Sequence, residues 1–389
     1  MRISWILPEA EYAGGIRVIS IYSEQLIKRG HQVKVISTPR AQPTFRRRLR
    51  TLFRERRWLE GAVKRATYFD ELCIDHEVLD SARPVTDADV PDGDIVIATW
   101  WETAEPVNRL SASKGVKVYL MQDYGAPGME LEELIPTWQL PLYMITISQF
   151  LVDLVHEHVP GLPVDVIQNS VDQDLFQAPP RTKAEVPTVG FLYRVEAVKG
   201  SDIVLEAVEI ARLEIPNLRF LAYGPRKEPG GRPPPEGMEY IYFPENSELK
   251  DIYASCDAWL FSSRREGFGL PILEAMACRT PVIATPAGAA PELVNARGGG
   301  VMVDHEDPAE MARAIVRFCT MEETEWKEFS DAAHETTQSY TWDDAGDVFE
   351  ASLVRAFHQE RDQERDQTQD EPKSPATGRY APIRSVIDI

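Results

Sequence analysis

The chain has 389 residues, enough for two domains of ordinary size. Its 43% hydrophobic and 27% charged residues suit a globular fold in water, and its net charge of −20 argues against a general nucleic-acid binder. No run reaches the roughly 18–20 apolar residues of a transmembrane helix.

The first eight residues, Met1-Arg2-Ile3-Ser4-Trp5-Ile6-Leu7-Pro8, hold too short an apolar run for a signal peptide. Cys73, Cys256, Cys278 and Cys319 form no C-x-x-C pair, so buried free thiols in a reducing compartment are expected. The expected location is the cytoplasm. Residues 3–7 predict a first strand. Gly14-Gly15 reads as a tight turn, followed by an amphipathic helix over 16–29 with Ile16, Ile19, Leu26 and Ile27 on one side. Gln32-Val33-Lys34-Val35-Ile36-Ser37 predicts the second strand. This is a Rossmann-type half, without the G-x-G-x-x-G of a dinucleotide site.

Residues 44–58 crowd seven arginines (Arg46, Arg47, Arg48, Arg50, Arg54, Arg56, Arg57) around Phe45, Leu49, Leu52, Phe53 and Trp58 at helical spacing. This predicts a basic amphipathic helix. Three readings stay open: contact with an anionic membrane surface, grip on an anionic acceptor, or a solvated helix beside the sheet. Apolar runs at 94–99, 116–122, 143–148 and 164–168 predict further strands. The first ends at Trp100-Trp101 and the second at Gln122-Asp123-Tyr124, both pairs at strand carboxyl ends facing one crevice. The tryptophans either stack on a sugar ring or pack as core. Asn169 lies in a strand-to-turn segment that closes the first domain, and a proline-stiffened linker spans 178–187.

The second domain opens with a strand at 188–193 and a loop holding Arg194 and Lys199. Strands at 218–224 and 240–243 follow, then a helix over 248–255 capped by Ser247. Next comes a strand, Ala258-Trp259-Leu260-Phe261, and then Arg265-Glu266-Gly267-Phe268-Gly269-Leu270-Pro271-Ile272-Leu273-Glu274-Ala275-Met276-Ala277-Cys278. Gly267 and Gly269 permit a sharp turn and close approach to a ligand. Pro271 suits a helix start, whose N–H groups and dipole favour an anion such as phosphate. Glu266 and Glu274 flank that site and can accept hydrogen bonds from sugar hydroxyls. A helix over 342–357 is expected to cross back to the first domain. The remainder, 358–389, is rich in Gln, Asp, Glu, Arg and Pro and predicts disorder.

The stretch 266–277 resembles the E-x7-E motif of family-4 retaining glycosyltransferases, which have the GT-B fold. Arg279 is a departure, since the family has glycine there, and implies a local change at a helix end. Residues 166–176 resemble the family's "I-P-N-G-V-D-x-x-x-F" segment, with Gln168 and Ser170 substituted. Arg194 and Lys199 keep the spacing of "G-R-L-x-x-x-K-G", with Tyr193 in place of the glycine. The resemblance is best over 160–295.

It implies an α/β architecture of two Rossmann-like domains facing each other across a cleft. The first would be 1–177, joined by the crossing helix 341–357, and the second, nucleotide-sugar-binding, 186–340. It implies a retaining transferase that moves a sugar from a nucleoside diphosphate sugar to a glycan, lipid-linked or other hydroxyl acceptor in cell-surface polysaccharide or glycoconjugate synthesis. Arg194 and Lys199 would hold the diphosphate, with the backbone of Gly267, Phe268, Gly269 and Leu270 and the pair Gly14-Gly15 beside it. Glu274 would accept from ribose hydroxyls and Glu266 from a donor-sugar hydroxyl. Asp123 would stand near the reacting sugar, beside Gln122 where the family has histidine. Trp100, Gln122 and Asn169 would face the acceptor. No metal or cofactor is implied, because the cations and the helix start take a metal's place.

Rival readings are a metal-dependent transferase using Asp87/Asp89, Asp92/Asp94 or Asp172/Asp174, an inverting transferase or nucleotide-sugar epimerase, and a non-catalytic sugar-nucleotide-binding protein. The first two aspartate pairs precede a strand, which counts against them.

Overall fold

The computed structural model describes residues 1–10, 13–39, 67–125, 129–225, 237–295 and 297–369. The basic segment 44–58 and most of the Pro/Gly-rich loop at 228–237 lie outside the described residues.

The first unit comprises β1 (Arg2–Glu9), α1 (Gly14–Lys28), β2 (Gln32–Thr38), α2 (Tyr68–Glu71), β3 (Asp75–Val78), β4 (Ile95–Ala98), α3 (Trp101–Asn108), β5 (Val116–Met121), α4 (Ile135–Trp138), β6 (Tyr143–Thr146), α5 (Gln149–His158) and β7 (Val164–Val166). The second comprises β8 (Thr188–Leu192), α6 (Ser201–Ala211), β9 (Arg219–Gly224), β10 (Met238–Tyr242), α7 (Asn246–Ala254), β11 (Ala258–Phe261), α8 (Leu270–Ala277), β12 (Val282–Ala284), α9 (Ala290–Asn295) and β13 (Gly300–Met302). Helices α10 (Pro308–Thr320), α11 (Glu323–Gln338) and α12 (Trp342–Gln369) complete the described residues.

Each unit is an α/β layer structure on a parallel sheet. The orders are β3-β2-β1-β4-β5-β6-β7 and β10-β9-β8-β11-β12-β13. The order reverses between β1 and β4 in the first sheet and between β8 and β11 in the second. Ligands bind at such switch points, outside the strand carboxyl ends. The central strands are apolar without alternation, as in Ile95–Ala98 and Ala258–Phe261, because helices cover both faces.

Helix α12 packs on the first unit. Phe349 stacks on Trp5 at 5.6 Å between ring centroids and on Tyr22 at 4.4 Å. Arg29 and His31 are tied to Asp347 and Glu350. The helix runs on to Gln369, so 358–369 is helical where disorder is expected. Composition misleads there because Glu, Gln and Arg are also good helix formers, and a docked helix can propagate through them. A second correction concerns α7. It starts two residues early, at Asn246, and a reciprocal pair between Glu245 and Glu248 caps it instead of Ser247. Among the described residues no helix is long and apolar enough to cross a membrane.

Candidate active site between the two sheets

A cleft of about 730 Å³ opens between the carboxyl ends of the two sheets. Its lining includes Gly14, Gly15, Trp100, Gln122, Asp123 and Asn169 from the first unit. Arg194, Lys199, Glu266, Gly267, Phe268, Gly269, Leu270 and Glu274 line it from the second. The candidate residues read from the sequence are therefore gathered in one place.

Helix α8 begins on the second wall. Its N-cap is Gly269, with φ of 104°, so a backbone conformation that disfavours other residues sets the turn and no side chain caps the helix. Of its first three residues, Pro271 has no N–H and the Ile272 N–H donates to the Gly269 carbonyl at 2.9 Å, which leaves the Leu270 N–H for another partner. Gly267 has a different reason to be glycine. A Cβ there would stand 1.8 Å from the carbonyl oxygen of Gln122, so what approaches is the backbone of the facing unit. Ser148 Oγ donates to the Gly267 carbonyl at 2.9 Å and completes the contact.

The cations are paired. Lys199 Nζ donates to Glu266 Oε2 at 2.5 Å, and Ser263 Oγ reaches the same oxygen at 3.1 Å. Arg194 Nε donates to Glu196 at 3.1 Å. These contacts hold the charges in place on the cleft wall, in the manner of a preorganised anion site.

Glu274 lies inside α8 and is buried. Arg17 of α1 reaches across the cleft and donates to its Oε1 at 3.1 Å, while Tyr253 donates to Oε2 at 2.7 Å. Burial, and then the charge of Glu274, hold the Tyr253 phenol well above its usual range, so it acts as a donor. Tyr223 in turn touches the Tyr253 hydroxyl at 2.8 Å.

Asp123 follows β5 and is mostly covered. Burial first, and then the negative charge of Glu266, push its carboxyl up to about 6, against the opposing pull of Lys199 and Arg265. The Arg265 guanidinium lies over the Tyr124 ring at 4.1 Å, which steadies the turn that carries Asp123.

Other positions differ from expectation. Gly14 and Gly15 are the first residues of α1, not a turn before it. Trp100 lines the cleft, whereas Trp101 packs against the core. Gln168 donates to Glu292 at 2.7 Å and Ser170 to the carbonyl of Tyr340 at 2.6 Å, so both substituted positions hold the two units and the following chain together. Glu292 also accepts from the backbone N–H groups of Gln149 and Phe150 at the start of α5. The paired aspartates have structural partners: Asp89 binds Arg83, Asp92 binds Lys114, and Asp172 accepts from the N–H groups of Asp174 and Leu175.

Arg17, Tyr253 and Arg265 were not legible as site residues. Arg17 left one signal. A cation near a helix N-terminus opposes the dipole and needs a partner elsewhere.

Residues 186–321 match the family model described as glycosyl transferases group 1. The D-inositol 3-phosphate glycosyltransferase of Mycobacterium marinum is 28% identical over 215 residues, covering 50% of this chain and 45% of that protein. The enzyme of the same name from Mycolicibacterium smegmatis is 28% identical over 218 residues, covering 51% and 49%. The chain thus spans about half the length of the relatives it matches. Among solved structures, sucrose-phosphate synthase from Thermosynechococcus elongatus superposes with a TM-score of 0.67 at 15% identity, over 94% of this chain and 100% of that one. Anabaena HepE, in a complex with UDP and glucose, superposes with a TM-score of 0.64 at 17% identity, over 94% and 99%. With two Rossmann-like units on parallel sheets, facing each other across one cleft, the chain has the GT-B fold of glycosyltransferases.

Proposed function

We propose that the chain is a retaining glycosyltransferase. It moves a sugar from a nucleoside diphosphate sugar to a hydroxyl of a glycan or lipid-linked acceptor, in the synthesis of a cell-surface polysaccharide or glycoconjugate. The observation that carries this is the Lys199–Glu266 pair at 2.5 Å, set beside a helix start that no side chain caps and sharing a wall with Arg194. A diphosphate gains negative charge as the glycosidic bond breaks. Lys199, Arg194 and the Leu270 N–H at the start of α8 meet that charge, and Glu266 is left to hold a hydroxyl of the transferred sugar. Glu274 takes the ribose. Retention rests on the family resemblance. The UDP and glucose bound to HepE make a UDP-hexose the first donor to try.

The test is a thermal-shift screen with UDP, GDP, dTDP and ADP, followed by NMR of the product anomer. One nucleotide should raise the melting temperature, and the product should keep the donor's configuration. No shift with any nucleotide would remove the transferase reading. The cations make a metal unnecessary, so activity should survive EDTA. The basic segment 44–58 suits an anionic membrane surface, and its deletion should reduce sedimentation with anionic vesicles.

One observation favours a second reading. Asp123, with its carboxyl near 6 inside the cleft, is poised as a general base for an inverting transfer or an epimerisation. An inverted product anomer would select it.

A further inference from the structure

The turn that carries Lys199 is docked through its backbone on the segment that follows β11. The Ala197 carbonyl accepts from Arg264 Nη1 at 2.7 Å. The Val198 carbonyl accepts from the backbone N–H groups of Arg264 and Arg265 at 2.8 and 3.2 Å. The Lys199 carbonyl accepts from Ser262 Oγ at 3.0 Å. Three successive carbonyls are thus met by residues 262–265. Gly200, with φ of 63°, closes the turn, and a Cβ there would stand 1.9 Å from the Ser262 carbonyl oxygen.

Arg264 has five N–H donors, and each has an acceptor. Nε reaches Glu306 Oε1 at 2.5 Å. Besides the Ala197 carbonyl, Nη1 reaches Asp202 Oδ1 at 2.8 Å. Nη2 reaches Asp202 Oδ2 at 2.8 Å and Glu306 Oε2 at 2.9 Å. Asp202 lies in the first turn of α6, and Glu306 precedes α10. Two bidentate pairs fix the plane of the guanidinium, which a single exposed contact does not. With its plane fixed, the group presents Nη1 to the Ala197 carbonyl at a set place. Glu266, two residues further along the same segment, is the partner of Lys199 Nζ at 2.5 Å. Arg264 therefore stands between the two ends of that ion pair, joined to Glu266 through the chain and to Lys199 through the turn. It does not itself line the cleft.

We infer that Arg264 is a positioning residue of the donor site: it holds the turn 197–199 so that Lys199 Nζ faces the diphosphate. The inference rests on the transferase reading. Geometry, not charge, is what the site takes from Arg264. A lysine at 264 keeps the charge, but a single ammonium cannot make the planar fork. The carboxylate partners are 56% and 66% exposed, so the network adds little to global stability, and loss of positioning separates from loss of the fold.

The test is calorimetric titration of the full chain with inorganic pyrophosphate, which carries the charge of a departed diphosphate and needs no choice of base. The parent should bind it. Arg264→Met and Arg264→Lys should each weaken binding by about tenfold, with little change in melting temperature. Lys199→Ala should weaken it at least as much. Adding Arg264→Met to Lys199→Ala should weaken it no further, because a residue that acts through Lys199 then has nothing to place. The inference is overturned if either Arg264 variant binds as the parent does, if the losses add in the double variant, or if the weakened binding only tracks a fall in the folded fraction. A parent that binds neither pyrophosphate nor any of UDP, GDP, dTDP and ADP would remove the transferase reading and the inference with it, whereas additive losses would remove the inference alone.

Discussion

Arg17 of the first unit donates to Glu274 of the second at 3.1 Å, across the cleft where the ribose is proposed to bind. Both side chains are largely covered, at 17% and 10% exposure, so the pair is less screened than a surface bridge. Its acceptor oxygen is one that a ribose hydroxyl needs. On the proposed reading, a bound ribose hydroxyl would take the place of Arg17. Arg17→Met should lower the melting temperature of the free protein, at a cost of about 1–3 kcal/mol for the undercompensated carboxylate. Nucleoside diphosphate should then raise the variant's melting temperature by more than the parent's. Equal increments would show that Arg17 stays on Glu274 throughout. Glu274→Ala should weaken nucleotide-sugar binding by about 10- to 100-fold, the value of hydrogen bonds to a charged group.

Lys199 is paired with Glu266, which is proposed to hold the transferred sugar. Lys199→Ala should lower kcat by about 10²- to 10³-fold, the usual cost of one preorganised charge. KM for the donor should rise less than kcat falls, because the leaving group gains its extra charge only in the transition state. A variant that changes KM alone would place Lys199 in ground-state binding.

Asp123 predicts a stability profile with a definite sign. Its carboxyl titrates near 6 in the folded chain, above the 3.8 of an unperturbed aspartate. The folded state therefore holds its proton more tightly than the unfolded chain. Asp123 is not a source of stability at neutral pH: its share of the stability is greatest below the unfolded value and is lost as pH rises to about 6. Asp123→Asn should raise the melting temperature at pH 8 and leave it nearly unchanged at pH 4. A uniform shift at both values would mean that charge is not the cause.

Arg279 ends helix α8 with φ of 59°, a left-handed conformation that glycine adopts without strain. Its side chain reaches the Ala178 carbonyl at 3.1 Å and Asp331 at 2.5 Å, tying the linker to α11. Arg279→Ala loses both contacts and keeps the strain, whereas Arg279→Gly loses the contacts and sheds it. The glycine variant should be the more stable of the two by about 1 kcal/mol, the reverse of their order in a helix interior. Chemical denaturation of the two variants reads the difference directly.

Much of the site was legible because its residues sit at strand ends and turns, where chemistry and local structure leave the same marks. The E-x7-E stretch announces both a glycine turn and a helix start, and the Arg194–Lys199 spacing accompanies a strand end. What stayed hidden depends on long-range packing. Nothing local tells that Arg17 meets Glu274 across 257 positions, or that Gly267 is small to admit the backbone of Gln122. The continuation of α12 past Phe357 is hidden in the sequence for a related reason. A charged, glutamine-rich composition describes a solvated helix as well as an unfolded tail, and docking on the first sheet decides between them.

That docking makes the first unit discontinuous in the chain. Trp5 and Tyr22, both fully buried, are covered by Phe349, which is translated more than three hundred residues later. A fragment ending at the linker would expose those two rings and should aggregate when expressed alone. Supplying residues 341–369 as a separate peptide, or fusing them ahead of residue 1 by circular permutation, should restore it. In the cell, the first half to leave the ribosome waits for the last helix before its surface is closed.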